Sequence, residues 1–111
     1  MNQPLDPNLL KGNLELILLT ILEEGAMYGF EIIQEAQART DGYFEFKQGS
    51  LYPALHRITL AGWLETQLRE AGRNGQPRKY YQLTPSGRQE LEAKRSEWRA
   101  FTGAMTALGQ K

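Results

Sequence analysis

The sequence predicts a mainly α-helical fold with one small β-hairpin, and three observations lead there. Residues 49–64 read as a capped, one-faced helix that stops at a glycine and runs into a strand. A basic stretch rich in turn formers follows, and Arg78-Lys79-Tyr80-Tyr81-Gln82-Leu83 reads as the returning strand. Before and after this unit lie apolar segments whose length and leucine content suit helices rather than strands.

Residues 1–8 hold two prolines among polar side chains, which predicts a flexible N-terminal arm. Residues 9–23 follow as a first helix that is apolar on most of its sides, so it needs cover beyond a single stripe and is expected to meet a second surface. Glu23-Glu24-Gly25 ends it. Tyr28 to Ala38 reads as a second helix, with Phe30, Ile33 and Ala36 at helical spacing and Ile32 beside them, until Thr40-Asp41-Gly42 breaks the pattern. Tyr43–Lys47 alternates and suits either a short strand or an extended connection. In the third helix Ser50 is the expected N-cap, which puts Pro53 third in the first turn, where its missing N–H is tolerated. Leu51, Leu55, Ile58 and Gly62 mark its inward face.

Leu64–Arg69 alternates as a half-buried strand does, and residues 70–77 supply two glycines, an Asn-Gly pair and a proline for the turn. Thr84-Pro85 is a cap-then-proline start for a last helix. Along it Leu91, Trp98, Phe101, Met105 and Leu108 form a seam at spacings of seven, three, four and three, interrupted by Lys94 or Arg95. That seam needs a partner, either the same helix of a second copy or the surplus apolar surface of the first helix. The expected organisation is an arm (1–8), a winged helix-turn-helix (9–84), a C-terminal dimerisation helix (85–108) and a tail (109–111).

Composition narrows the function. With 111 residues the chain makes one domain with one modest core. Its 13 Lys and Arg balance 13 Asp and Glu, which argues against a general polyanion binder. The charges are segregated, however. Residues 1–47 hold three basic side chains against eight acidic, whereas residues 48–80 hold five against two. The absence of cysteine excludes disulfides, thiolate zinc sites and cysteine nucleophiles. No signal peptide or membrane span is visible, so the expected location is the cytoplasm. His56 is the single histidine, and no nucleophile elbow, phosphate-binding glycine loop or zinc-protease helix is present. The expectation is a protein that is not an enzyme and takes no metal or cofactor.

The third helix and the hairpin are the candidate nucleic-acid surface. Gln48, Ser50, Tyr52, Pro53, His56 and Arg57 lie at or near the exposed start of that helix. A helix N-terminus attracts phosphate, and arginine bonds guanine bidentately. Arg69, Arg73, Asn74, Arg78 and Lys79 surround the hairpin turn, where cations suit the DNA backbone. A plain solvated helix and hairpin would share these features. Trp98 either packs a dimer core or, with Phe101, lines an apolar pocket for a flat guest.

These residues resemble the PadR family of winged-helix transcriptional regulators. The resemblance rests on Tyr28-Gly29, on Gly49-Ser50-Leu51-Tyr52-Pro53-Ala54-Leu55-His56-Arg57, on Gly62-Trp63-Leu64, and on Arg78-Lys79-Tyr80-Tyr81-Gln82-Leu83-Thr84-Pro85-Ser86-Gly87. It spans about residues 9–108, and the single short C-terminal helix suits the smaller branch of the family. Trp63 and Thr59 replace the more usual aliphatic and acidic residues, which leaves the operator sequence open. The resemblance implies repression through an inverted-repeat operator in double-stranded DNA, with Tyr28 on a phosphate. It also implies a homodimer built by the last and first helices, drawing on Leu10, Leu14, Ile17, Leu91, Trp98, Phe101, Met105 and Leu108. A planar or phenolic effector at the dimer interface would release the DNA. Two other functions stay open: a winged-helix protein-interaction module and a ligand-sequestering protein.

Overall fold

The computed structural model describes residues 6–70 and 75–110. Seven elements follow in order: α1 (Pro7–Leu22), β1 (Met27–Tyr28), α2 (Gly29–Arg39), α3 (Gln48–Leu60), β2 (Leu64–Glu70), β3 (Pro77–Leu83) and α4 (Pro85–Gly109). The strands form one antiparallel sheet in the order β1-β3-β2. Three helices, this small sheet and a long closing helix make up the winged helix-turn-helix and C-terminal helix expected from the sequence.

The core is almost entirely aliphatic. Leu18, Leu19 and Leu22 of α1, Ile32 of α2, Leu51, Leu55 and Ile58 of α3, and Leu91 of α4 are fully buried. α1 is the central rod and packs against α2, α3, β3 and α4. The second surface expected for this helix is therefore supplied largely by the chain itself.

Several local expectations are corrected. α1 starts at Pro7, inside the stretch expected to be an arm, because the Asp6 carboxylate accepts from the backbone N–H of Asn8 (3.1 Å) and Leu9 (3.4 Å). Asp6-Pro7 is thus the same cap-then-proline signal as Thr84-Pro85. α2 turns Gly29, Ile32 and Ala36 inward, while Phe30 is exposed. Tyr43–Lys47 is a connection without strand pairing, anchored by buried Phe46. Ser50 is not the N-cap of α3. Lys47 holds that place, its carbonyl accepting from Ser50 N–H (3.0 Å) and Leu51 N–H (2.9 Å), so Pro53 stands inside the helix. Gly49 and Pro53 are both exposed, so water can serve the Gly49 carbonyl that the proline leaves without a donor.

Gly62 does not lie on the inward face of α3 either. Its φ of 88° makes it the left-handed residue that ends the helix. Gly62 N–H donates to the Thr59 carbonyl (3.0 Å) and Trp63 N–H to the Ile58 carbonyl (3.1 Å), the paired bonds of a Schellman stop. β2 is buried only at Leu64, and Leu68 is exposed. Toward its Glu70–Pro77 end the β2–β3 ribbon is exposed; among its described residues only Leu64, Tyr81 and Leu83 are buried. At the other end of the ribbon, the Thr84 hydroxyl accepts from Gly87 N–H (2.9 Å) and donates to the Gly62 carbonyl (2.7 Å). A Cβ at Gly87 would overlap the Trp63 backbone carbonyl, so α4 starts flush against the end of α3.

Candidate nucleic-acid interface

The two-residue strand β1, invisible in the sequence pattern, positions one wall of the site. It pairs with β3 so that Tyr28 stands opposite Tyr80, and β2 places Gln67 on the other side of Tyr80 and Arg69 opposite Arg78. Side chains opposite one another share a face of the sheet, so the register stacks them. The Tyr28 and Tyr80 rings meet edge to face at 5.4 Å. The Arg78 guanidinium lies 4.5 Å from the Tyr28 ring centre, and that of Arg69 lies 4.6 Å from Tyr80. On the other face of β3, Lys79 Nζ is 5.9 Å from the ring of Tyr81. Arg69, Arg78 and Lys79 thus each have an aromatic neighbour to hold them in place without neutralising their charge.

The facing wall is α3. Tyr52, His56 and Thr59 share one flank and, with Tyr28, Gly29, Arg78, Lys79 and Tyr81, line a cleft of about 510 Å³ between helix and wing. Tyr52 lies over Gly29, where any Cβ would overlap its ring. That contact gives a physical reason for Tyr28-Gly29 and Leu51-Tyr52 to occur in one chain: the glycine is the seat of the tyrosine. Burial raises the Tyr81 hydroxyl above the ordinary tyrosine range, and a smaller contribution comes from nearby Tyr52. The cleft offers hydroxyls, one imidazole and two cations, a set suited to phosphate.

Ser50, Pro53 and Arg57 occupy a different flank. They line a groove toward α1 together with Lys11 and Lys47. Arg57 is 59% exposed, and its Nε donates to Glu15 Oε2 of α1 at 3.3 Å. Gln48 is exposed in the first turn of α3. The structure thus brings Tyr28, Tyr52, His56, Arg78 and Lys79 together and sets Ser50, Pro53 and Arg57 around the corner of the helix. Arg73 and Asn74 lie outside the described residues. Reading the sequence passes over Tyr80 and Glu15. The strand alternation that pairs Tyr80 with Arg78 on one face is the only signal for the first, and nothing local signals the second.

The residues expected at a dimer or ligand interface also divide. Leu14, Ile17 and Leu91 belong to the chain's own core, and Leu10 is half-buried. Trp98, Phe101, Met105 and Leu108 are 45%, 60%, 53% and 78% exposed, and the Trp98 and Phe101 rings stack at 6.3 Å. The seam splits because β3 and α1 cover only the first part of α4. Beside Trp98 an apolar groove of about 480 Å³ runs between α1 and α2, lined by Leu9, Leu16, Ile21 and Phe44 among others. No helix among the described residues is long and apolar enough to cross a membrane, and no group of three or more His, Asp or Glu there is placed to hold a metal.

Comparison with known proteins agrees with this geometry. Residues 18–93 match the transcriptional regulator PadR-like family. The chain is 32% identical over 91 residues to an uncharacterized protein of Lysinibacillus sphaericus, covering 82% of this chain and 83% of that one. Its fold superimposes on a transcriptional regulator from Clostridium thermocellum with a TM-score of 0.82 at 27% identity, over 93% of this chain and 99% of the other. It also superimposes on a PadR family transcription regulator from Clostridium difficile with a TM-score of 0.75 at 33% identity, over 87% and 98%. The match runs from the last turn of α1 through the first turns of α4 and includes both walls of the cleft, and the chain belongs to the PadR-like family of DNA-binding transcriptional regulators.

Proposed function

We propose that the protein is a homodimeric repressor that binds an inverted-repeat operator and releases it when a planar small molecule binds near Trp98. The observation that carries this reading is the division of the surface. One side gathers hydroxyls and ring-held cations in the α3–wing cleft, and another leaves Trp98, Phe101, Met105 and Leu108 uncovered. An apolar helical stripe of this kind is stable in water when a second helix covers it.

In the bound state the start of α3 lies in a major groove, with Gln48, Ser50, Tyr52, Pro53, His56 and Arg57 at base edges or sugar-phosphate. Arg78 and Lys79 hold the flanking backbone, and Tyr28 donates to a phosphate. A two-fold dimer then needs half-sites one DNA turn (~34 Å) apart, or a multiple of it. The effector acts by population shift, favouring a dimer whose reading helices are misplaced, and only as far as its affinities for the two states differ.

Selection of bound duplexes from a random pool at near-physiological salt tests this function. The expected product is an enriched inverted repeat on which R57A relaxes base preference. Retention of no duplex in preference to any other would refute it. The apolar groove beside Trp98 also favours a second reading, ligand sequestration, in which tight binding of a planar compound leaves DNA affinity unchanged.

A further inference from the structure

We infer that Glu15 is a positioning residue for the reading helix: its carboxylate holds Arg57 back from DNA, and Lys94 of α4 sets the strength of that hold. The inference rests on the DNA-binding reading above, in which Arg57 contacts the operator.

Glu15 sits where three helices meet. Its Oε2 accepts from Arg57 Nε at 3.3 Å, and its Oε1 is 3.4 Å from Lys94 Nζ. One carboxylate from α1 thus bridges a cation of α3 and a cation of α4. Lys94 is further tied to Glu90 Oε2 at 3.4 Å and lies 5.2 Å from the ring of Trp63, with only 23% of its side chain exposed. It is therefore part of the scaffold and is not free to become a phosphate contact. Arg57 is the more exposed partner, and only its Nε is bound to Glu15; that bond ties the guanidinium toward α1, so the side chain has to let go of Glu15 to extend away from α1 to a base or phosphate.

The energetics follow from charge sharing. While Lys94 is in place, the negative charge of Glu15 is divided between two cations and Arg57 leaves easily. When Lys94 is withdrawn, Glu15 faces Arg57 alone and the arginine is held more firmly. Lys94 precedes Trp98 by one helical turn, so the two share a face of α4. Lys94 thus stands between the uncovered stripe, which begins one turn on, and Glu15, which holds Arg57. This gives a short physical link from the uncovered apolar stripe to the reading helix.

The test measures binding of the full chain to a selected duplex across a range of salt. R57A is expected to weaken binding. E15Q is expected to tighten it by about two- to five-fold per reading helix, the range of an exposed ion pair. K94Q is expected to weaken binding by about two-fold with an unchanged salt slope, since Lys94 makes no phosphate contact. In the double variant E15Q/K94Q the effect of K94Q disappears. E97Q is the control: it removes one negative charge from an exposed position on α4 and is expected to leave affinity near the native value. E15A serves in place of E15Q if the latter melts early. Native affinity in E15Q, equal tightening in E97Q, or a K94Q loss that persists without Glu15 overturns the proposal while R57A stays weakened. An R57A of native affinity removes the reading and the proposal together.

Discussion

The two halves of α4 share one helical seam in the sequence and behave differently in the fold. From Pro85 to Arg95 the helix is held on every side that matters. Gly87 abuts the Trp63 carbonyl, Leu91 is fully buried, and Arg95 donates to Glu23 at 2.6 and 3.0 Å. From Trp98 to Leu108 the same periodicity continues, yet its apolar residues remain exposed. Period alone therefore does not tell a stretch of seam that the chain itself buries from one that it leaves uncovered. What separates them is how far the rest of the domain reaches along the helix.

The largest effect is expected where the helix has no cover. In the homodimer proposed above, the double change Trp98→Glu and Phe101→Glu should abolish self-association, raising the dissociation constant at least ~100-fold, because burying each aromatic at the interface would contribute about 2–3 kcal/mol. The far-UV circular dichroism of the winged-helix body should survive. Sedimentation that still finds the native mass would show that the stripe is not the contact.

In the held half, Gly87→Ala should destabilise the fold by about 2 kcal/mol, since the methyl meets rigid backbone. Gly29→Ala is the informative companion. There the methyl meets only the outer end of the Tyr52 side chain, which is 42% exposed and can swing away. Its stability loss should stay below about 1 kcal/mol, with weaker operator binding as Tyr52 leaves the cleft. Denaturant unfolding of both variants beside a DNA titration checks the pair. Equal stability losses would mean that the two glycines serve the same end.

A smaller change is expected at the wing. Lys79→Ala should weaken binding to every duplex alike and lower the slope of log affinity against log salt by about one. An unaltered slope would take Lys79 off the backbone.

The smallest effect concerns the Arg95 contact. Its hydrogen bonds hold the Glu23 carboxyl below the usual carboxylate range, against a modest opposing effect of burial. A carboxyl depressed in the folded state adds stability above its unfolded pKa, and that stability is lost as pH falls through the lowered value. For so exposed a pair it is worth less than about 1 kcal/mol. Glu23→Gln should therefore melt slightly below the native protein at neutral pH and coincide with it in acid. A constant gap across pH would assign the difference to another cause.

Much of the architecture was legible because it is written in short-range chemistry. Thr84-Pro85 starts α4, Gly62 stops α3, and Leu51, Leu55 and Ile58 face inward, each for a local reason. Where local signals competed, reading the sequence went astray. Asp6-Pro7 carried the same cap as Thr84-Pro85 but lay among other polar residues and prolines. Ser50 is a good cap by type, yet Lys47 began the helix a turn earlier. Tyr28, Tyr52, His56, Arg78 and Lys79 could be named in advance as candidates. Their division into a cleft, with Arg57 around the corner on Glu15, could not.

The order of amino acids by itself determined where helices start and stop, which faces are apolar, and that a cationic hairpin follows the third helix, because hydrogen-bond capping and side-chain periodicity act over a few residues. Only the tertiary structure decided that Tyr80 meets Tyr28 edge to face, that Gly29 seats Tyr52, and that one carboxylate of α1 bridges α3 and α4. Those contacts join residues far apart in the chain, and their geometry follows from strand register and helix packing, which no local pattern encodes.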